Sequence, residues 1–252
     1  MAKKLKILNL NAWLLPLRLS SHNTKRVDRI FKLIDELDPD VITLQEVWDV
    51  SYLNEFARKF SDYYLISKPN WLFNEAGLMT FSKHPVITNK LFYFKPTEHY
   101  KFIEKGAKKG FMVTKIDFKG KEINIVNTHL YCSAIWSTKK DQEITKNQYR
   151  LIEKVFKKSK ILTILFGDFN MDYYELEKLR KTFKIPNKKP VTTVTMDNIY
   201  TNARLNSNRI YNRQLDYMLY VENGTKIDVN LKVLNKEKVS DHYPLYCEID
   251  LA

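Results

Sequence analysis

Only two cysteines, Cys132 and Cys247, occur in the 252 residues. They are too few for a disulfide framework and show no metal-binding spacing. Long apolar runs are missing as well: no stretch approaches the roughly 18 residues that a membrane-spanning helix needs. The opening MAKKLKILNLNAW is basic, but its short apolar run is broken by Asn9 and Asn11 and no small-residue cleavage site follows. It therefore reads as a first strand and not as a signal peptide. There is no low-complexity linker and no break in composition, so one domain over residues 1–252 is expected. The expectation from these absences is a cytoplasmic protein with free thiols, peripheral at a membrane at most and without a membrane anchor. Acidic residues are also in short supply, 29 against 42 lysines and arginines, for a net charge of +13. Such an excess suits phosphate-bearing partners, either nucleic acid or an anionic membrane face. No feature points to a protein partner.

What is present is ample apolar material, 44% of residues with 13% aromatic, enough for a sizeable core. Lys6–Asn11 has a partly alternating strand pattern, and Ala12–Leu17 reads as an apolar loop ended by Pro16. Val27, Ile30, Phe31, Ile34 and Leu37 recur at helical spacing behind a cap at Asn23 or Thr24. Val41–Leu44 is a short buried strand, Tyr52–Phe60 a helix, and Tyr63–Ser67, Ala76–Ser82 and Val86–Tyr93 are strands. Phe111–Asp117 and Glu122–Asn127 form a hairpin around Lys119-Gly120, and a helix runs through Tyr149, Ile152 and Phe156. A strand from Ile161, a helix near Tyr174–Phe183 and three strands at Gln214–Tyr220, Val229–Val233 and Tyr243–Ile249 complete the chain. Strand, loop, helix, strand and carboxylate follow one another at 6–46 and again at 122–168. Two sheets with helices outside them, their polar strand ends meeting at one edge, would account for this echo.

The chemistry gathers at those strand ends. ILTILFGDFNMD is an apolar strand that exits through Gly167 and presents Asp168 and Asn170, two residues apart and so able to face one ligand. Asn11, Glu46, His129, Asp216, Asp241 and His242 likewise follow or interrupt apolar runs. Singly, each has an ordinary reading: Asn11 and Asn170 as turn residues, Asp216 as a cap, His129 and His242 as core histidines. Together they form an oxygen-rich set without cysteine, better suited to Mg²⁺ or Mn²⁺ than to structural zinc. Two histidines among carboxylates add groups that move protons near neutral pH. Oxygen-held Mg²⁺ with imidazole acid–base groups is equipment for phosphodiester hydrolysis. His22, His84 and His99 lie in loops by the same reading and take no part.

The ordered segments LNLNAW, LQEVW, NTHL, GDFNMD, LDYML and SDHYPL resemble the endonuclease/exonuclease/phosphatase superfamily from about residue 5 to 249. That group includes pancreatic deoxyribonuclease, abasic-site endonucleases, inositol-polyphosphate 5-phosphatases and neutral sphingomyelinases. The resemblance implies an α/β fold, a four-layer α/β sandwich of two packed mixed β-sheets flanked by helices. It makes Glu46 the principal Mg²⁺ ligand, aided by Asn11, with Asp241 close to the metal. It makes His242 the general base, oriented by Asp216. Asp168 and Asn170 would position the nucleophile and the phosphate, and His129 would donate to phosphoryl oxygens.

Within the superfamily, AWLLPL after Asn11, Val47-Trp48 after Glu46 and Lys109-Gly110-Phe111 are most similar to neutral sphingomyelinases. The expected activity is therefore a Mg²⁺-dependent sphingomyelin phosphodiesterase of phospholipase C type, working on phospholipid at a membrane surface. Trp13, Leu14, Leu15 and Leu17 would be a lipid contact unless AWLLPL is simply buried, and Lys105, Lys108 and Lys109 would favour an anionic interface. The membrane-entering hydrophobic hairpin of secreted bacterial sphingomyelinases is absent. Leu130-Tyr131-Cys132 matches that family only in part. The alternative is a Mg²⁺-dependent nuclease on DNA or RNA, with Tyr and Arg interleaved over Arg204–Arg213 serving the backbone. A binding module that has kept the fold and lost its activity is disfavoured by the full set of catalytic residue types.

Overall fold

Every long element in the structure, a computed structural model describing residues 4–16, 19–132, 138–204 and 212–251, belongs to one of two mixed sheets or to a helix laid on their outer faces. Leu17 and residues 205–211 of the Arg204–Arg213 stretch lie outside the described residues.

The first sheet is built around β1 (Leu5–Leu14) and β2 (Val41–Val47), which pair in parallel and are joined by helix α1 (Asn23–Leu37). After helix α2 (Val50–Lys59), strands β3 (Tyr64–Ile66) and β4 (Met79–Ser82) extend this sheet on one side. The second sheet starts with β5 (Val86–Tyr93). Past the one-turn helix α3 (Phe102–Gly106) come β6 (Gly110–Phe118) and β7 (Lys121–His129). Helix α4 (Lys139–Phe156) then crosses to β8 (Leu162–Asp168), parallel to β7. Helices α5 (Tyr173–Leu179) and α6 (Ile199–Arg204) precede β9 (Asp216–Val221), and β10 (Ile227–Val233) and β11 (Leu245–Leu251) return to the first sheet. The orders are β10-β11-β1-β2-β4-β3 and β5-β6-β7-β8-β9. The echo in the sequence is thus two parallel strand–helix–strand units, one per sheet.

Three apolar layers hold this together. Val27, Ile30, Leu33 and Ile34 of α1, with Leu53 and Phe56 of α2, bury against Leu8, Leu10, Ile42 and Leu44 of the first sheet. Tyr149, Ile152 and Phe156 of α4 cover Phe111, Val126 and Leu165 of the second. Between the sheets, Leu5, Ile7, Val41 and Ile249 meet Ile116, Ile123, Ile125 and Ile164. Alternate residues of β1 serve opposite layers, which explains why its pattern is apolar on both faces.

One expectation changes here. Ala12, Trp13 and Leu14 are not a loop but the end of β1, continued through a register shift at Trp13, whose φ is 48°. Trp13 and Leu14 are buried and Leu15 is half-buried, so AWLL packs inside and is not a lipid-facing surface. The pattern misled because an irregular strand end buried on both faces loses the period-2 signal. Leu14→Ser should consequently cost about 3 kcal/mol of stability, combining lost apolar burial with a buried hydroxyl. Urea unfolding would measure it, and a loss below about 1 kcal/mol would contradict the burial.

Candidate active site

Parallel pairing delivers the polar residues to one edge. On β7 and β8 the register sets His129 beside Asp168, and antiparallel pairing then sets Asp168 beside Asp216 at the start of β9. On the facing sheet, Asn11 is level with Gln45, and Glu46 follows with a positive φ of 58° that turns it out of the regular pleat. Non-glycine residues in that region are held there by their surroundings and cluster at functional sites. Asp241 and His242 arrive from the turn before β11.

All eight residues singled out in the sequence are buried, and most are in direct reach of one another. Asn11 Nδ2 donates to Glu46 Oε1 and to Asp168 Oδ2, each at 3.0 Å, and so bridges the two sheets. His129 Nε2 lies 3.8 Å from Glu46 Oε1 and 3.6 Å from Asp168 Oδ2. Asp168 Oδ1 accepts from the Asn170 backbone N–H at 2.9 Å, and the Asn170 amide donates to the Leu130 carbonyl at 3.2 Å. His242 Nδ1 is 2.7 Å from Asp216 Oδ2, and its Nε2 faces Asp168 Oδ2 at 3.8 Å. Asp241 stands slightly apart: its Oδ1 is 3.1 Å from Ser240 Oγ, which donates to the Asn11 carbonyl at 2.6 Å.

Two overlapping groups bring their ligand atoms within 4.8 Å of one another: Glu46, His129 and Asp168, and Asp168, Asp216 and His242. Asp241 belongs to neither. Glu46 Oε2 and Asp216 Oδ1 are buried with no hydrogen-bond partner among the described residues. An orphaned carboxylate oxygen in such a place is costly unless a cation takes it. Carboxylates with one imidazole and no thiolate suit a hard divalent ion, so these residues fit a metal.

The charges are correspondingly strained. Burial, then Asp216 and Glu46, push the Asp168 carboxyl above its ordinary range, although His242 and the Asn170 N–H oppose them. Burial alone would discharge His242, yet Asp216, Asp168 and Asp241 outweigh it and raise the imidazole to about 10.

Several participants were not legible as such in the sequence. Lys109, which the sequence suggests for an anionic interface, is only 6% exposed. Its Nζ reaches Glu104 Oε1 at 3.1 Å, His129 Nε2 at 3.1 Å and the Leu130 carbonyl at 3.0 Å. Burial opposes its charge, but Glu104, Cys132, Glu46 and Asp168 hold it above the usual lysine value. Arg26 is fully buried, donates to the Ala12 and Trp13 carbonyls at 2.5 and 2.6 Å, and stacks on Trp13. Beneath the site, Gln45 Nε2 donates to Asn9 Oδ1 at 2.8 Å and to Asn127 Oδ1 at 2.7 Å, while Asn127 Nδ2 donates to the Leu44 and Met79 carbonyls. Polar residues at inward positions of LNLN, LQEV and VNTH were the available signal for this layer.

Residues 8–242 match the Endonuclease/Exonuclease/phosphatase family. A Caenorhabditis elegans protein named "Putative neutral sphingomyelinase" is 30% identical over 141 residues, 52% of this chain and 32% of that one. The match thus spans about a third of the curated relative. SmcL superposes with a TM-score of 0.81 at 19% identity, covering 99% of this chain and all of that one. Sphingomyelinase C from Streptomyces griseocarneus gives 0.75 at 18% identity, with 98% and 99% covered. D. rerio TDP2 complexed with single-strand DNA product gives 0.75 at 15%, again with 98% and 99% covered. At these identities the structural likenesses speak for the fold.

Proposed function

The chain belongs to the endonuclease/exonuclease/phosphatase family, and from that premise we propose that it is a Mg²⁺-dependent phosphodiesterase that cleaves sphingomyelin-type phospholipid. The observation carrying this reading is the continuous line of groups from Glu46 through Asp168 to His242 and Asp216. It supplies a cation site and an acid–base pair within one buried edge. The identity to a sphingomyelinase-named relative supports the lipid over other phosphodiesters.

In this reading Glu46 would hold the ion with Asn11 fixing its Oε1, Asp168 faces both Asn11 and His242, and Asp241 adds negative charge at the edge. Bound Mg²⁺, or Mn²⁺ in its place, neutralises charge on the phosphate and favours attack at phosphorus. His242 Nε2 removes the proton from the attacking water, and Asp216 keeps the other ring proton on Nδ1. Asp168 and Asn170 position water and phosphate, while His129 and the Lys109 ammonium stabilise the phosphoryl oxygens. In the metal-free protein three carboxylates hold His242 protonated. A cation held beside Asp168 would offset part of that negative charge and so favour the neutral imidazole that can act as a base.

A second reading has a specific basis: the +13 charge and the fold shared with TDP2 suit a Mg²⁺-dependent nuclease. The test offers sphingomyelin in detergent micelles, plasmid DNA and abasic DNA, each with Mg²⁺ or EDTA. Metal-dependent release of phosphocholine should be the fastest reaction, and faster turnover of either DNA would overturn the lipid reading. Glu46→Gln should weaken Mg²⁺ binding by calorimetry at least about tenfold, since a neutral amide replaces the ligating carboxylate. Unchanged affinity would remove Glu46 from the metal site.

A further inference from the structure

The two most solvent-exposed large apolar side chains among the described residues are Phe102, 92% exposed, and Trp71, 87% exposed. Each has a second apolar neighbour in water, Ile103 and Leu72. Isolated exposed hydrophobics need no explanation, but these belong to two segments that are braced together and to the site.

Trp71 sits at the tip of residues 68–74, a turn built by asparagines. Asn70 Oδ1 accepts from the Leu72 and Phe73 backbone N–H groups at 2.9 and 2.8 Å. Asn74 ties the base to β2 just past Glu46: its side chain donates to the Val47 carbonyl at 2.9 Å and its backbone N–H to the Trp48 carbonyl at 2.9 Å. The tip is thus a fixed display and not a loose loop. Phe102 and Ile103 project from α3, whose Glu104 turns inward to the Lys109 ammonium that contacts His129. Between the segments, Glu75 accepts from the Tyr93 hydroxyl and pairs with Lys108 at 3.3 Å.

Both apolar tips are therefore anchored directly behind candidate site residues, one behind Glu46 and the other behind His129. The two segments themselves carry surface charge of one sign, with Glu75 between them taken up by Lys108 and Tyr93. Over residues 68–73 and 101–108 stand Lys68, Lys101, Lys105 and Lys108, against the single acid Glu104, which is buried. Aromatic tips flanked by lysines match the interfacial layer of a bilayer, where rings sit at headgroup depth and ammonium groups meet anionic lipid.

We propose that the Trp71–Phe73 turn and α3 form a docking rim that seats this edge of the protein on an anionic phospholipid bilayer, bringing headgroup phosphates to the buried site. The proposal rests on the phospholipid reading above and adds the surface that would reach the substrate. Neither tip residue is among the candidate metal-binding or acid–base residues, so docking and chemistry separate experimentally.

The test uses the whole protein in EDTA with phosphatidylcholine vesicles, with and without phosphatidylserine. The unaltered protein should co-sediment with the phosphatidylserine vesicles, weakening as salt rises. Its tryptophan emission should move to shorter wavelength, and the move should vanish in Trp71→Phe. The double variant Trp71→Ala/Phe102→Ala should bind at least about tenfold more weakly. Its melting temperature and its rate on a water-soluble phosphodiester should stay unchanged. Equal vesicle binding by the double variant overturns the proposal, as does single-stranded oligonucleotide perturbing Trp71 at lower concentration than vesicles. Vesicle binding without sphingomyelin turnover would leave the docking rim standing and overturn the lipid-hydrolase reading. Turnover of micellar sphingomyelin without vesicle binding would overturn the docking rim alone.

Discussion

Replacing His242 by alanine is expected to lower phosphodiester turnover by about a hundredfold to ten-thousandfold, the range carried by a positioned acid–base group. In the proposed mechanism this effect falls on the chemical step. His242 Nδ1 is held by Asp216 at 2.7 Å, and Nε2 faces Asp168 at 3.8 Å. Steady-state rates at saturating Mg²⁺ check it, and a near-normal rate with an intact fold would refute the assignment. Asp216→Asn should also be slow, because an amide no longer fixes the tautomer. It carries a further signature in the metal-free protein. There the folded His242 is raised from 6.5 to about 10. A group raised on folding stabilises fully below its unfolded value, and this contribution is lost as pH rises through the folded value. Stability of the metal-free wild type should therefore decline between about pH 7 and 10 from this source. Asp216→Asn should flatten that decline in denaturant midpoints taken across the window.

Gly167→Ala is the substitution expected to do most harm to the fold. A Cβ there would lie 2.0 Å from the Thr128 carbonyl oxygen and 2.9 Å from Thr128 Cγ2. The obstacle is backbone of the parallel neighbour, so no rotamer change relieves it, and β7 and β8 must part. The next residue pair along this register is His129 with Asp168. The same close approach that excludes a side chain therefore sets the spacing of two site residues. We expect a loss of about 4 kcal/mol or more, the scale reserved for core disruption, and no measurable activity in whatever folds. Urea midpoints with unchanged activity would show that the strands can yield. Gly120→Ala is the control: it sits in the β6–β7 turn at φ 83° with nothing within 4 Å, and should cost about 1–2 kcal/mol from backbone strain alone, with activity intact.

Much of this was readable beforehand, for identifiable reasons. Strands β2 and β8 were legible because buried parallel strands are unbroken apolar runs, and their polar exits stood out against them. The helix face of Val27, Ile30 and Ile34 emerged from simple periodicity. Less legible was whatever depends on pairing between distant segments. Trp13 reads in the sequence either as a lipid contact or as a buried residue, because nothing local reveals that β1 continues through an irregular turn. Lys109 looked like one more surface lysine in a lysine-rich stretch; only the fold brings Glu104 and the Leu130 carbonyl to satisfy its ammonium. The short helix carrying Phe102 has too few residues to show a period. Phe102 and Trp71 themselves could not be told from core aromatics by type, since exposure is a property of the assembled surface.

The polar layer under the site has a consequence for how the protein is made. Gln45 and Asn127 grip each other across the two sheets, and Asn11 spans the same gap to Asp168. Each strand–helix–strand half can assemble from contacts close in sequence, yet neither half contains the whole candidate site. Competence appears only when the halves meet in register. During refolding, recovery of turnover should be the last signal to return, after helix content and after burial of the separate aromatic layers. Activity in this protein is in that sense a gauge of the seam between its sheets.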